Sequence, residues 1–415
     1  MKLLLTSSSF KGGGIASYAQ EFINSYSAGF QMSVIIGDDS LHPITKDGVS
    51  VFHYDMDDTS ESNARNVINL INNQICPDII VNSCARLMPL INPFLNNGIK
   101  IINVSHSLRY DEADYAGFNS EYADCIIALS KYNKQYLVKT YPNLNTTKVQ
   151  IVYNFVHKEA NRTQLIQAKN NTKVPVIVYS GGGTAAKSPE IVYAVVRELL
   201  KTDANFKFFW LGMRTPPFKK IMPFKFISDI LPEDPRLIIT GRVPRENSME
   251  ISNKANIFLI PSRREGCPIA LLEAMRVGCI TLTSDYKNAC REIIEDGING
   301  FIIPHDDIHR FVDMILDIIQ YPPKYQSIYA NSYQTYVDKL SFDAWKMKMD
   351  NILLHTPLLH NNRILDFDPK VYAKFKKRLD IRKRSNLRHL LFYEYLPSAL
   401  PFYKYYIEFK LGFKL

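Results

Sequence analysis

The sequence predicts an α/β fold made of open parallel sheets, and three observations carry that expectation. Apolar runs of strand length alternate with amphipathic helical stretches along most of the 415 residues. Two of these strands, Lys2 to Thr6 and Val176 to Tyr179, lead into loops with three consecutive glycines, Gly12–Gly14 and Gly181–Gly183, each ahead of a helical pattern. A further strand, loop, helix, strand unit runs from Ile257 to Thr283. Open sheets of this kind bind ligands at the carboxyl ends of their strands, so the loops after the strands are where function is sought. The length suggests two or three domains.

The Ile257 unit is the most informative. Ile257 to Ile260 reads as a buried strand and Pro261 to Gly266 as a polar break. The helix begins at Pro268, whose fixed φ suits a first turn, continues through Ala270, Leu271, Leu272, Ala274 and Met275, and closes at Gly278. Two carboxylates bracket its start, Glu265 in the break and Glu273 in the second turn. The helix N-terminus, with the amides of Gly266, Cys267, Ile269 and Ala270, favours an anion such as a diphosphate. A carboxylate beside such an anion is better used to accept sugar hydroxyls, and Glu273 could take both hydroxyls of a ribose. One ligand holding a sugar, a diphosphate and a nucleoside satisfies all three features.

In chain order, the first strand and glycine loop precede a helix carrying Ile15, Tyr18, Ala19, Phe22 and Ile23, then a strand at Val34 to Ile36 and the acidic pair Asp38 and Asp39. An acid there is where a dinucleotide fold places its ribose ligand, which keeps a nicotinamide enzyme open, although the glycines are not spaced as GxGxxG. Gly13 and Gly14 serve equally as a tight turn or as a ligand-contacting loop. Ile101 to Val104 is a buried strand followed at once by Ser105 and His106; a histidine at a strand end is structural or ligand-facing. Asp124 to Ser130 and Val149 to Phe155 add strands, and the polar run from 158 to 173 reads as a linker. Beyond it, Gly181 and Gly183 let amides approach a phosphate, and Lys187 ahead of the next helix brings an ammonium, either solvated or on the diphosphate. Strands at Phe206 to Leu211 and Leu237 to Thr240 follow, the latter ending in Gly241 and Arg242, and a late amphipathic helix spans roughly Ser332 to Leu354 with Trp345.

Glu265, Gly266, Leu272, Glu273, Ala274 and Gly278, then Glu292, Ile293, Gly297, Asn299 and Gly300, resemble the E-x7-E signature and following segment of family 4 retaining glycosyltransferases of the GT-B fold. The resemblance implies two Rossmann-like domains facing a cleft: an acceptor domain over 1–157, the linker 158–173, a nucleotide-sugar domain over 174–330 and a closing helix over 331–355. It implies that Glu265 positions the sugar, Glu273 the ribose and Lys187 the leaving diphosphate, that His106 faces the transferred sugar, that Gly13 and Gly14 line the cleft, and that Arg242 lies near the nucleobase. It implies that the departing phosphate oxygen takes the acceptor's proton, so that no protein nucleophile is required; no metal is expected because no DxD-type aspartate cluster follows a second-domain strand, and the nucleotide sugar is a substrate rather than a cofactor. The sequence departs from the family twice. Gly182 stands where an arginine is usual, leaving Arg242, Arg263 or Arg264 to compensate, and Phe155 stands where a glycine is usual.

Composition narrows the class. At 46% hydrophobic and 22% charged, the chain has an ordinary globular composition. Its six cysteines show neither CxxC nor zinc-type spacing and read as small buried hydrophobes in a reducing compartment. No signal peptide or membrane-length apolar run is present, which points to a cytoplasmic protein, peripheral on a membrane if attached at all. The +9 net charge belongs mostly to the tail, where residues 366–415 hold 12 Lys and Arg against 5 Asp and Glu. This basic, aromatic extension (356–415) reads as a membrane-surface anchor, an oligomer contact or an extra packed helix pair; no nucleic-acid fold signature accompanies it. The expected partners are a nucleotide sugar and a glycan or lipid-linked acceptor, in surface polysaccharide or glycolipid synthesis. A non-catalytic nucleotide-sugar-binding or scaffolding subunit is the alternative.

Overall fold

A computed structural model describes residues 1–7, 14–37, 47–108, 110–156, 169, 173–181, 184–212, 214–216, 220, 225–359, 363–390, 399–402 and 404. Gly13, Gly183, the Asp38–Asp39 pair, most of the 158–173 run and most of the tail aromatics lie outside these residues. The chain divides into two compact units, Met1–His157 with Phe342–Asn386, and Lys158–Ser341 with Leu387–Leu415.

The first unit is built on seven strands: β1 (Lys2–Ser7), β2 (Gln31–Ile36), β3 (Val49–His53), β4 (Ile79–Ser83), β5 (Lys100–Ser105), β6 (Cys125–Ala128) and β7 (Val149–Ile151). They pair all-parallel in the order β3-β2-β1-β4-β5-β6-β7. The second unit holds β8 (Val176–Ser180), β9 (Lys207–Leu211), β10 (Leu237–Gly241), β11 (Ile257–Ile260), β12 (Ile280–Ser284) and β13 (Gly300–Ile303). Its order is β10-β9-β8-β11-β12-β13, again all-parallel. Strands buried on both faces need continuous apolar runs, and the inner strands comply: every residue of β4, β5, β6, β11 and β12 is buried. In both sheets strand order reverses beside the first strand, between β1 and β4 and between β8 and β11, which creates a switch point in each.

The expected late helix is not continuous. A helix at Gln326–Thr335 and a π-helical turn at Tyr336–Leu340 end at Ser341, which is extended (φ −69°, ψ 162°), and a new helix runs Phe342–His355. The break coincides with the return of the chain from the second unit to the first. There Trp345, 2% exposed, sits among Tyr18, Phe22, Tyr26, Phe155 and Phe342. Phe155 stacks on its indole at 3.8 Å, so the residue that replaces the family glycine fills this aromatic core.

The tail's first half is a helix, Pro369–Leu390, whose apolar stripe of Tyr372, Phe375 and Leu379 is buried in the core of the first unit. Arg86 with Asp380 and Arg382 with Asp114 pin its flanks. Of the expected packed helix pair, the described residues show this one helix packed on the first unit. Farther on, Phe402 is fully buried beside Tyr193 in the second unit. Among the described residues no helix is long and apolar enough to cross a membrane.

Because Trp345 organises five aromatic neighbours, Trp345→Ala should destabilise the protein by about 3–5 kcal/mol, read by chemical denaturation. A loss under about 1 kcal/mol would show that the cluster does not hold the returning helix.

Candidate active site

The switch point of the second sheet brings together two of the residues selected from sequence, Lys187 and Glu265. The loop after β8 carries Gly181 and ends in a turn of 3-10 helix, Ala185–Lys187, before the helix Pro189–Leu200. The loop after β11 carries Arg263 to Cys267 before the helix Ile269–Arg276, for which Pro268 is the cap residue rather than the first helical one. Lys187 Nζ donates to both oxygens of Glu265, at 2.6 and 2.9 Å. Glu265 is 7% exposed and the Lys187 side chain 30%, so one end of the pair is buried and the other reaches solvent.

Several devices hold the two loops together. The amide of Arg263 donates to Ala186 O at 2.9 Å, and that of Arg264 to the same oxygen at 3.4 Å. The Arg263 guanidinium donates to Ser188 Oγ at 3.0 Å and to Glu190, a carboxylate 2% exposed. Below them the Tyr179 hydroxyl donates to Lys187 O at 3.3 Å. Burial, then the carboxylates of Glu190 and Glu265, push the Tyr179 hydroxyl's pKa up, so it stays a neutral donor. Gly181 lies over this ring: a Cβ there would collide with the Tyr179 hydroxyl. Gly212, at φ +92°, lies close enough that its own Cβ would be 2.8 Å from Gly181 O. The missing side chains let the ends of β8 and β9 close up at the site.

The helix N-terminus beside Glu265 has no side-chain cap. Gly266 and Cys267 are buried and Ile269 and Ala270 half-buried. Glu273 points inward at 7% exposed, on the same helix. Gly278, at φ +66°, ends it as expected. Of the arginines considered as substitutes at Gly182, Arg263 is spent on Glu190; Arg242 is exposed just beyond β10. Glu190, Ser188 and Tyr179 were not singled out from sequence. Glu190 showed there only as an acid in the first turn of a helix, a pattern any capped helix displays.

In the first unit, His106 lies after β5 with its Nε2 2.9 Å from Ser83 Oγ at the end of β4, its ring edge-on to Tyr18 at 4.8 Å. Burial lowers its pKa from 6.5 to about 3, so the imidazole is neutral and acts through hydrogen bonds. Gly14 opens the helix Gly14–Tyr26 and is exposed. The motif residues farther along are structural: Gly297 adopts φ +72°, and Asn299 caps Glu295 N at 2.7 Å and donates to Thr335 Oγ1 at 2.9 Å.

Residues 161–335 match the family described as glycosyl transferases group 1. The chain is 24% identical over 188 residues to alpha-D-kanosaminyltransferase of Streptomyces kanamyceticus, covering 45% of this chain and 47% of that protein. It is 25% identical over 224 residues to lipopolysaccharide 1,6-galactosyltransferase of Salmonella typhimurium, covering 53% and 60%. These matches thus span about half the length of those relatives. Anabaena HepE, solved in complex with UDP, superposes with a TM-score of 0.66 at 14% identity, over 85% of this chain and 99% of that one. The lipopolysaccharide outer core galactosyltransferase WaaB superposes at 0.61 with 18% identity, over 85% and 99%. The architecture is the GT-B one, two Rossmann-like parallel-sheet domains with a helical extension.

Two outcomes follow. Arg263→Ala should cost about 3 kcal/mol in a denaturation midpoint analysis, because it removes the guanidinium paired with the buried Glu190 carboxylate; a cost near zero would mean that the latch is not formed. His106 and His305, the latter lowered to about 4 by burial and the nearby Arg263, titrate near 6.5 when unfolded. The unfolded chain therefore binds the extra protons, and stability should be flat above pH 6.5 and fall as pH drops toward 4. A His106→Gln variant should show a shallower fall, and an unchanged slope would contradict the assignment.

Proposed function

We propose that this protein is a retaining glycosyltransferase that moves a sugar from a nucleotide-diphosphate donor to a hydroxyl acceptor, in the synthesis of a surface polysaccharide or lipopolysaccharide-type glycan. The observation that carries the reading is the Lys187–Glu265 pair bridging the two loops of a sheet switch point, next to an uncapped helix N-terminus. The family of residues 161–335 supports it, as do UDP in the HepE structure and the polysaccharide and lipopolysaccharide transferases among the relatives.

The chemistry is charge management. As the glycosidic bond breaks, negative charge collects on the departing diphosphate and positive charge on the sugar ring. An ammonium has three donors; two engage Glu265, and the third serves a phosphate oxygen. Glu265 thus holds Lys187 at the place where charge grows, with no reorganisation at the moment of reaction. Its carboxylate also orients sugar hydroxyls, while the amides of Ile269 and Ala270 add their dipoles to the phosphate side. Glu273 takes the ribose hydroxyls. The leaving phosphate oxygen accepts the acceptor's proton, so the reaction requires no protein nucleophile.

A thermal-shift panel of UDP, GDP and ADP against NAD tests the reading. One nucleoside diphosphate at about 100 times its Kd should stabilise the fold by about 2.7 kcal/mol. Glu273→Ala should weaken that nucleotide about tenfold or more, the scale of a lost charged hydrogen-bonding partner. Stabilisation by NAD alone would sink the proposal. Binding without transfer across a donor and acceptor panel would assign the protein to a non-catalytic nucleotide-sugar-binding role.

A further inference from the structure

The stretch that joins the helix Phe342–His355 to the helix Pro369–Leu390 is inside out. Its arginine is buried: Arg363, 8% exposed, donates to Ile99 O at 2.7 Å and to Asn96 O, and pairs with Asp124 at 3.3 Å, a carboxylate 3% exposed. Its aliphatic side chains face water instead. Leu358, Leu359, Ile364 and Leu365 are 38%, 44%, 38% and 45% exposed. The backbone enforces this arrangement. Leu359 N donates to Asp124 Oδ1 at 2.6 Å, the amides of Ile364 and Leu365 both donate to Pro93 O, and Leu365 holds φ +67°, a conformation that costs a branched residue energy. Arg363 is buried and four aliphatic side chains are exposed, the reverse of the usual preference of each, while Asp366 is exposed and Asp368 half-buried.

The exposure is concentrated. Seven of the twelve exposed large hydrophobics among the described residues fall between Met347 and Ile381. The helix that follows three residues after Leu365 supplies the complementary charge. Pro369–Leu390 holds nine Lys and Arg and one acid, Asp380, which is engaged by Arg86. Its apolar stripe is packed into the core, so the face it turns to solvent is Lys370, Lys374, Lys377 and Arg378, with Ile381 at 58% exposure.

We propose that Leu358, Leu359, Ile364 and Leu365, with Lys370, Lys374, Lys377 and Arg378 of the following helix, form a docking surface for a bilayer carrying anionic phospholipid. The aliphatic side chains enter the interfacial region and the cations meet headgroup phosphates, each contribution being marginal without the other. The tail helix therefore does not insert its own apolar stripe; it is the polybasic half of a two-part contact whose apolar half lies just before it. A nucleic acid would use the cations and leave the leucines in water, whereas a bilayer uses both. The proposal stands independently of the sugar-transfer reading, because its surface shares no residue with the nucleotide site.

Flotation with vesicles tests it on the full chain. Wild type should bind phosphatidylcholine vesicles containing phosphatidylglycerol, ignore pure phosphatidylcholine and release at high salt. The triple substitution Leu358→Ser/Leu359→Ser/Ile364→Ser and the triple reversal Lys370→Glu/Lys374→Glu/Lys377→Glu should each reduce partitioning by about tenfold or more. All six side chains are exposed, so unchanged melting temperatures should confirm that both variants fold. Equal partitioning of either variant, loss of a concentration-dependent dimer in the leucine variant, or preference for a short RNA over vesicles would overturn the proposal.

Discussion

The arrangement of the second unit depends on one constraint, that a charged pair must bridge the point where the strand order turns back. Lys187 arrives on the loop after β8 and Glu265 on the loop after β11, 78 residues later in sequence, and only the adjacency of these two strands brings them within 2.6 Å. A buried carboxylate needs a cation, and Lys187 supplies it to Glu265. Glu265, 7% exposed, is held by Lys187, whose side chain is 30% exposed.

The remaining features of the site support that pair. Arg263 and Glu190 tie the same two loops together one layer away, and Tyr179 supports the Lys187 carbonyl from beneath. The glycines do their work by lacking a Cβ: Gly181 leaves room for the Tyr179 hydroxyl, and Gly212 lets β9 end against β8. The site's position is thereby fixed by packing and hydrogen bonds rather than by the intrinsic preference of any loop.

Much of this was legible in the sequence because the signals were local. The buried runs of the inner strands, the glycine after the Ile269–Arg276 helix and the two glutamates flanking its start all follow from short-range rules. The pairing of Lys187 with Glu265 was not legible, since each was chosen for its own loop and only strand order joins them. Glu190 was missed because its partner is distant in sequence. The late helix was expected to be continuous because its apolar periodicity runs on across Ser341; the break comes from the chain's return to the first unit, which periodicity does not encode. The tail posed the reverse difficulty. Its basic and aromatic residues allowed a membrane-surface anchor, an oligomer contact or packed helices, and composition does not say which side chains turn inward; the structure packs Tyr372, Phe375 and Leu379 and leaves Lys370, Lys374, Lys377 and Arg378 exposed.

The central claim is that Lys187 and Glu265 act as a unit on the donor, and a double-mutant cycle on sugar transfer tests it most directly. Lys187→Gln, Glu265→Gln and the double variant would be compared by kcat/KM. If the pair works as a unit, the double variant should lose about as much as either single variant, leaving a coupling energy of about 1–3 kcal/mol. Losses that simply multiply would contradict the account.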